Sequence, residues 1–331
     1  MPTLSVLIPA RNERFLRRTI EDVLEHARAD TEIITVLDGA WAEPPLPHHP
    51  KVTVVYVPQS IGQRAATNLA ARLSSARYVM KLDAHCAVAE GFDEVLIASA
   101  QELGEDVTQI PAQYNLHIHD WVCEACGART YQAPPLTACG QCGGPVRIEM
   151  VWQPRKNRKT VAWRFDHDLH FQYHGHGEKA QTGEIADVMT SLGACFFMSR
   201  ERFWQLGGLD EAAGSWGQFG VEIACKSWLS GGRQVVNKRT WFSHLFRTQQ
   251  GFKFPYPLDE TQVQQARTHS QQLWKRDQWP KAVRPLSWLL EKFAPVPEWH
   301  DSRVTVAPQV TTLSTTPTTR EVAHVGAMDG Q

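Results

Sequence analysis

The sequence predicts an α/β domain, a mainly parallel sheet flanked by helices, with a small cysteine-rich module inserted into it. Three observations carry that prediction. Apolar runs alternate with helical stripes through the first eighty or so residues, and strand–helix–strand order demands the crossovers that make parallel pairs. The runs are apolar along their length, as strands covered on both faces are. Two CxxC pairs lie in a glycine-containing stretch with little apolar content, outside that alternation.

"LSVLI" (4–8) is the first strand. Leu16, Ile20, Val23, Leu24 and Ala27 then recur at helical spacing over 14–28. "EIITVL" (32–37) and "VTVVYV" (52–57) are the second and third strands. "GQRAATNLAARLSSA" reads as a helix with Ala66, Leu69, Ala70 and Leu73 on one face, and "RYVMKL" (77–82) is the fourth strand. Residues 120–146 read as an insertion with its own small fold within a domain spanning 1–302. The stretch 143–180 is mixed. It holds a basic segment, "RKNRK" (155–159), and a histidine-rich one containing His167, His170, His174 and His176, either a polar loop or a second metal site. Regular structure resumes near "DVMTSLGACFFMSRERFWQLGG". Val221, Cys225, Trp228 and Leu229 mark a helix that ends at Gly231-Gly232. The Thr-rich stretch 303–331 is expected to be a flexible tail.

A formal net charge of −1 excludes a global field for nucleic acid or membrane, so any basic surface is local. No apolar run is long enough to cross a bilayer. The opening "MPTLSVLIPARNER" lacks the basic start and long apolar run of a signal peptide, so the expectation is a cytoplasmic chain with no membrane span of its own. No pattern fixes an oligomeric state. Of seven cysteines, Cys123, Cys126, Cys139 and Cys142 form the two CxxC pairs. In a cytosolic setting that spacing favours metal over disulfides. Four thiolates from two tight knuckles enclose zinc tetrahedrally with no open position, which makes the site structural rather than catalytic.

In a parallel sheet, ligands bind beyond the carboxyl ends of the strands. Arg11, Asn12 and Glu13 follow the first strand, Asp38 the second, and Asp83 with His85 the fourth, in "KLDAHC". Asp83 and His85 are either a solvated loop start or two ligands of one ion. A divalent ion bridging two phosphates needs only a few protein ligands, and the third would come from far along the chain.

These segments together resemble the GT-A (Rossmann-like) glycosyltransferases of the family 2 style, and in several places the polypeptide N-acetylgalactosaminyltransferases. "LSVLIPARNE" resembles their opening strand and turn, "ITVLDGA" their second strand, "GQRAATNLA" their glycine-to-helix segment, and "KLDAHC" the Asp-x-His form of their metal motif. "GACFFMSRERFWQLGGLDE" and "SWGQFGVEIACKSWLSGG" are similar to their acceptor-side segments, and "FSHLFR" to the stretch that supplies a second metal histidine. The resemblance covers roughly 1–100 and 185–250, and leaves the cysteine insertion outside.

The resemblance implies a nucleotide-sugar donor, a uridine diphosphate sugar, and a divalent ion, Mn²⁺ or Mg²⁺. Asp38 would hydrogen-bond the uracil, Pro9, Ala10 and Arg11 would line the base, and Arg64 would approach the donor. Asp83, His85 and His244 would hold the ion, and Arg247 would neutralise a phosphate. Where inverting relatives carry an acidic pair, this chain has Phe219 and Gly220. That leaves Glu222, either the base of an inverting reaction or a structural residue of its helix, with Asp210 further off, and Trp216 as a sugar-stacking or a core ring. A retaining reaction would need no such base, so the stereochemistry stays open. The acceptor is a saccharide, a lipid-linked molecule or a protein. One alternative is a nucleic acid with a hydroxylated base, for which the cysteine module and "RKNRK" speak. The other is a non-catalytic zinc-containing binding protein on a degenerate scaffold.

Overall fold

The computed structural model describes residues 1–132, 135–246 and 254–299. Arg247 and the expected tail at 303–331 lie outside them. The first four strands fall where the apolar runs place them: β1 (Leu4–Ala10), β2 (Thr31–Asp38), β3 (Val52–Val57) and β4 (Tyr78–Leu82). They are separated by α1 (Leu16–His26), between β1 and β2, and α2 (Gln63–Leu73), between β3 and β4. Parallel pairing runs β4–β1–β2–β3. The chain steps outward from β1 to β2 and β3, then returns across the sheet to β4. The two crossovers therefore lie on opposite faces, and the order reverses between β1 and β4, the place where such sheets open a crevice.

Side chains alternate across β1. Leu4, Val6 and Ile8 join a core with Leu16, Ile20 and Val23 of α1, while Leu7 joins the opposite core with Ala66 and Ala70 of α2. The buried face of α2 is Arg64, Ala66, Thr67, Asn68, Ala70 and Ala71. Leu73, expected on the inner face, is exposed. It stands at the last residue of the helix, and its neighbour Ser74 is the one that meets β1, through Ser5 Oγ at 2.7 Å.

Beyond β4 come β5 (Cys86–Val88), α3 (Phe92–Leu103), and two long strands, β6 (Val107–Cys123) and β8 (Val146–Thr160), with β7 (Arg129–Tyr131) between them. A hairpin of β9 (Trp163–Phe165) and β10 (Phe171–Tyr173) and a short helix α4 (Gly175–Ala180) follow. Next are β11 (Ile185–Asp187), β12 (Cys195–Ser199), α5 (Arg200–Gln205), α6 (Phe219–Leu229), β13 (Arg233–His244), α7 (Glu260–Ser270) and α8 (Leu286–Lys292). The sheet order is β11–β13–β6–β12–β4–β1–β2–β3. The half built after β4 mixes directions: β12 runs antiparallel to β4, and β13 parallel to β6.

The cysteine insertion is less separate than expected. β6 leaves the main sheet and continues to Cys123, hydrogen-bonded along its length to β8. The cysteines cap the tip of that ribbon. No helix among the described residues is long and apolar enough to cross a membrane.

Candidate active site

Three strand ends build the centre. β4 delivers Asp83 just past Leu82, and β5 begins one residue after His85. The last strand, β13, pairs antiparallel with β5 in a register that sets His244 opposite Cys86. The two histidines are thus brought together from 159 residues apart: His85 Nε2 lies 3.1 Å from His244 Nε2, and His244 Nε2 lies 3.3 Å from Asp83 Oδ2. One ligand atom from each of the three fits within 4.8 Å of the others.

The second carboxylate oxygen is already committed. Asp83 Oδ1 accepts from Lys81 Nζ at 2.5 Å and from Gln63 Nε2 at 2.8 Å. Lys81 also donates to the Gly193 carbonyl at 2.9 Å and is buried. Burial alone would raise the Asp83 carboxyl, but Lys81 and the two imidazoles hold it well below the usual range. Burial, opposed by Asp83, brings His244 down to about 4. The group at neutral pH is therefore a carboxylate with a neutral His244, the form in which an imidazole binds a metal. Two facing ring nitrogens and one carboxylate oxygen suit a divalent transition ion.

The centre opens into a cavity of about 590 Å³. Pro9, Ala10 and Arg11, Asp38 and Asp83 all line it, as do Trp216 and His170. Asp38 is buried and accepts three hydrogen bonds: from Ser60 Oγ (2.8 Å), Ile61 N (2.6 Å) and Gly62 N (3.0 Å). A carboxylate has about four acceptor sites, so about one remains. Glu13 stands behind the centre, 3.5 Å from His85 Nδ1.

Three expected site residues lie elsewhere. Arg64 points inward, donating to Glu222 Oε2 (2.8 Å), the Gly214 carbonyl (2.9 Å) and the Gly217 carbonyl (2.7 Å), with its guanidinium over Phe219. Glu222 is buried outside the cavity, where Arg64, Lys226 Nζ (2.8 Å) and the Asp210 amide (2.6 Å) take up its oxygens. Burial would raise its pKa, but Lys226 and Arg64 bring it down to about 2, so it stays an ion-paired carboxylate. Asp210 caps the turn Glu211–Ala213 through the Ala212 amide and meets His269 at 2.7 Å, also outside the cavity. These groups clamp the 208–217 loop rather than face a substrate.

Gly220 explains why an acid is missing at its position. A Cβ there would lie 1.8 Å from the Ser191 carbonyl oxygen, and one on Gly193 (φ +90°) would lie 2.6 Å from the Gly220 amide. The two backbones touch at the cavity wall and leave no room for a side chain.

Lys81 and Gln63 were not singled out from the sequence. A lysine inside the apolar run "YVMKL" is the signal for the first, because a cation in a two-sided strand needs an anion beside it. The wall formed by Phe171 and Tyr173 of β10 and Gln262 and Arg267 of α7 carried no such signal.

At the ribbon tip the four cysteine sulfurs also lie within 4.8 Å of one another, with Cys123–Cys142 at 3.5 Å and Cys126–Cys139 at 3.8 Å. The Cys126 amide, 3.4 Å from Cys123 Sγ, draws that thiol down to about 6. Among the described residues, the histidine-rich segment contributes to no such cluster.

The strand order, the crevice and the convergent Asp-x-His centre define a GT-A-like glycosyltransferase fold. The solved structure of GalNAc-T7 with UDP, GalNAc and Mn2+ shares it, at a TM-score of 0.61 and 18% identity over 88% of this chain and 56% of that one. Residues 5–117 match the model of glycosyl transferase family 2. The chain is also similar in sequence to the polypeptide N-acetylgalactosaminyltransferases. It is 25% identical over 272 residues to polypeptide N-acetylgalactosaminyltransferase 3 of Drosophila melanogaster, matching 78% of this chain and 37% of that protein. To number 6 of Bos taurus it is 27% identical over 272 residues, 77% of this chain and 39% of that protein. The chain thus spans well under half the length of these curated relatives.

Proposed function

We propose that this chain is a metal-dependent glycosyltransferase that moves a sugar from a uridine diphosphate sugar to an acceptor hydroxyl. The observation that carries the reading is the meeting of Asp83, His85 and His244 at the mouth of a cavity beyond the strand ends. The relatives' names, and the UDP and Mn2+ of the GalNAc-T7 structure, support the choice of donor and ion.

Each residue has a defined task in that reading. Asp38 offers its remaining acceptor site to the uracil N–H. Pro9, Ala10 and Arg11 form the wall beside the base. Lys81 and Gln63 fix Asp83 Oδ1, so that Oδ2 is turned toward the two imidazoles. When bound there, a divalent ion, Mn²⁺ in preference to Mg²⁺ given two nitrogen ligands, supplies Lewis-acid stabilisation of the leaving diphosphate. Arg247 retains the phosphate role that the resemblance implies. The carboxylates among the described cavity residues are Glu13, Asp38 and Asp83, and 247–253 contain none. A displacement that relies on a carboxylate base therefore finds none on the wall formed by Trp216, Tyr173 and α7. The four tip cysteines hold a structural Zn²⁺ that closes the ribbon end.

The test is release of uridine diphosphate from a panel of its sugars in the presence of Mn²⁺. Release that stops in Asp83→Ala is expected. A chain that neither releases nor binds any of these donors is a binding protein on this scaffold, and the enzyme reading fails.

A further inference from the structure

The segment "RKNRK" leads from the ribbon to the cavity. The pairing of β8 with β6 is broken there. Arg155 stands opposite Asn115 and Thr160 opposite Gln113, so four residues of β8, Lys156 to Lys159, face the single residue Tyr114. Such a bulge cancels the alternation that would send neighbouring side chains to opposite faces. Lys156, Arg158 and Lys159 are all exposed there. None of these three, nor Arg155, has a carboxylate within 4.0 Å among the described residues. A chain with net charge −1 thus concentrates unneutralised cations on one short excursion.

Aromatic rings interleave with these cations. Arg155 lies 4.1 Å from the Tyr131 ring centroid, and Arg158 lies 5.4 Å from that of Tyr173. Tyr173 is itself part of the cavity lining, beside Phe171 and Trp216. The bulge is therefore continuous with the mouth of the site. Arg267, also in the lining, has a buried Nε with no hydrogen-bond partner among the described residues. A buried N–H of that kind calls for an acceptor from the ligand.

We propose that the acceptor hydroxyl is carried on a nucleic acid strand, whose phosphates run over Lys156, Arg158 and Lys159 while its bases stack on the rings at the cavity mouth. Cations alone would hold any polyanion. Cations alternating with ring faces that end at the catalytic cavity fit a strand whose bases are unstacked. The proposal rests on the glycosyltransferase reading and names its substrate class.

The experiment is fluorescence anisotropy with a labelled single-stranded DNA of about 20 nucleotides, titrated between roughly 50 and 200 mM salt. Binding should weaken steeply with salt. The triple variant Lys156→Gln, Arg158→Gln, Lys159→Gln should lower the slope of log affinity against log salt by about 2, at roughly 0.7 per lost cation on a single strand. Tyr173→Ala should weaken binding at every salt concentration and leave the slope unchanged. No binding at the lowest salt, an unchanged slope in the triple variant, or stronger binding of heparin than of the oligonucleotide would overturn the proposal. Stabilisation of the unaltered chain by uridine diphosphate with Mn²⁺ reads the donor site separately. Failure there with oligonucleotide binding intact would remove the glycosyltransferase reading and not the strand-binding surface.

Discussion

Arg64 and Glu222 meet in the interior, with Nε 2.8 Å from Oε2 and only 1% and 3% of their side chains exposed. The pair joins the start of α2 to the start of α6. Through the Gly214 and Gly217 carbonyls and the Asp210 amide it also fixes the loop that carries Trp216 to the cavity. Breaking a buried pair leaves a charge without its partner, which costs about 3–5 kcal/mol. Glu222→Ala should therefore lower the unfolding free energy by about that much in a urea titration. A catalytic base replaced by alanine would instead leave stability nearly intact.

The same pair gives stability a pH signature. Glu222 titrates near 2 in the folded chain, against an ordinary value of 4.5. A depressed carboxyl contributes stability that is fully present above 4.5 and disappears as pH falls toward 2. Unfolding free energy measured across that window should fall more steeply in the unaltered protein than in Glu222→Gln.

Gly220→Ala puts a methyl group 1.8 Å from the Ser191 carbonyl oxygen, a backbone atom that cannot rotate away. The expected loss is at least about 2 kcal/mol. Gly175→Ala, where nothing lies within 4 Å, should be within about 0.5 kcal/mol of the parent. Equal stabilities for the two variants would contradict the close backbone approach.

One zinc per chain is expected by elemental analysis, and Cys126→Ser should reduce it. Chelation should speed hydrogen exchange in β7 and the outer halves of β6 and β8, because metal binding energy there is folding energy. Exchange in β1, β2 and β4 should not change. Uniform acceleration across the sheet would mean that the ribbon tip is not a separately stabilised unit.

The first half of the sheet was legible because β1, β2 and β4 are covered on both faces, and β3, the part-exposed edge strand, is still an apolar run. β1 to β4 therefore announce themselves as apolar runs, and the residues just past them had to share one edge. β6 and β8 were not legible. They form a ribbon with much of β8 exposed, so polar and basic residues such as Arg147 and Arg155 occupy strand positions that carry no apolar pattern. The Asp83–His85 side of the proposed metal centre was open to sequence reading, because it is local in sequence. His244 entered only through the resemblance, since nothing local fixes the register of β13 against β5. Arg64 and Glu222 misled for a physical reason. A charged side chain beside a glycine-led helix or at a helix start reads the same whether it faces a ligand or a buried partner of opposite sign. Only the 158-residue pairing between them decides it.

The proposed metal centre is the core of the functional reading, and ligand-induced stabilisation tests it most directly. A ligand present at about 100 times its dissociation constant stabilises the fold by about 2.7 kcal/mol. Thermal unfolding of the full chain should move upward with uridine diphosphate and Mn²⁺ together, hardly with either alone, and not at all in Asp83→Ala or His244→Ala. A shift of the same size without Mn²⁺, or one retained in both variants, would contradict the assignment of Asp83, His85 and His244 as the ion's ligands.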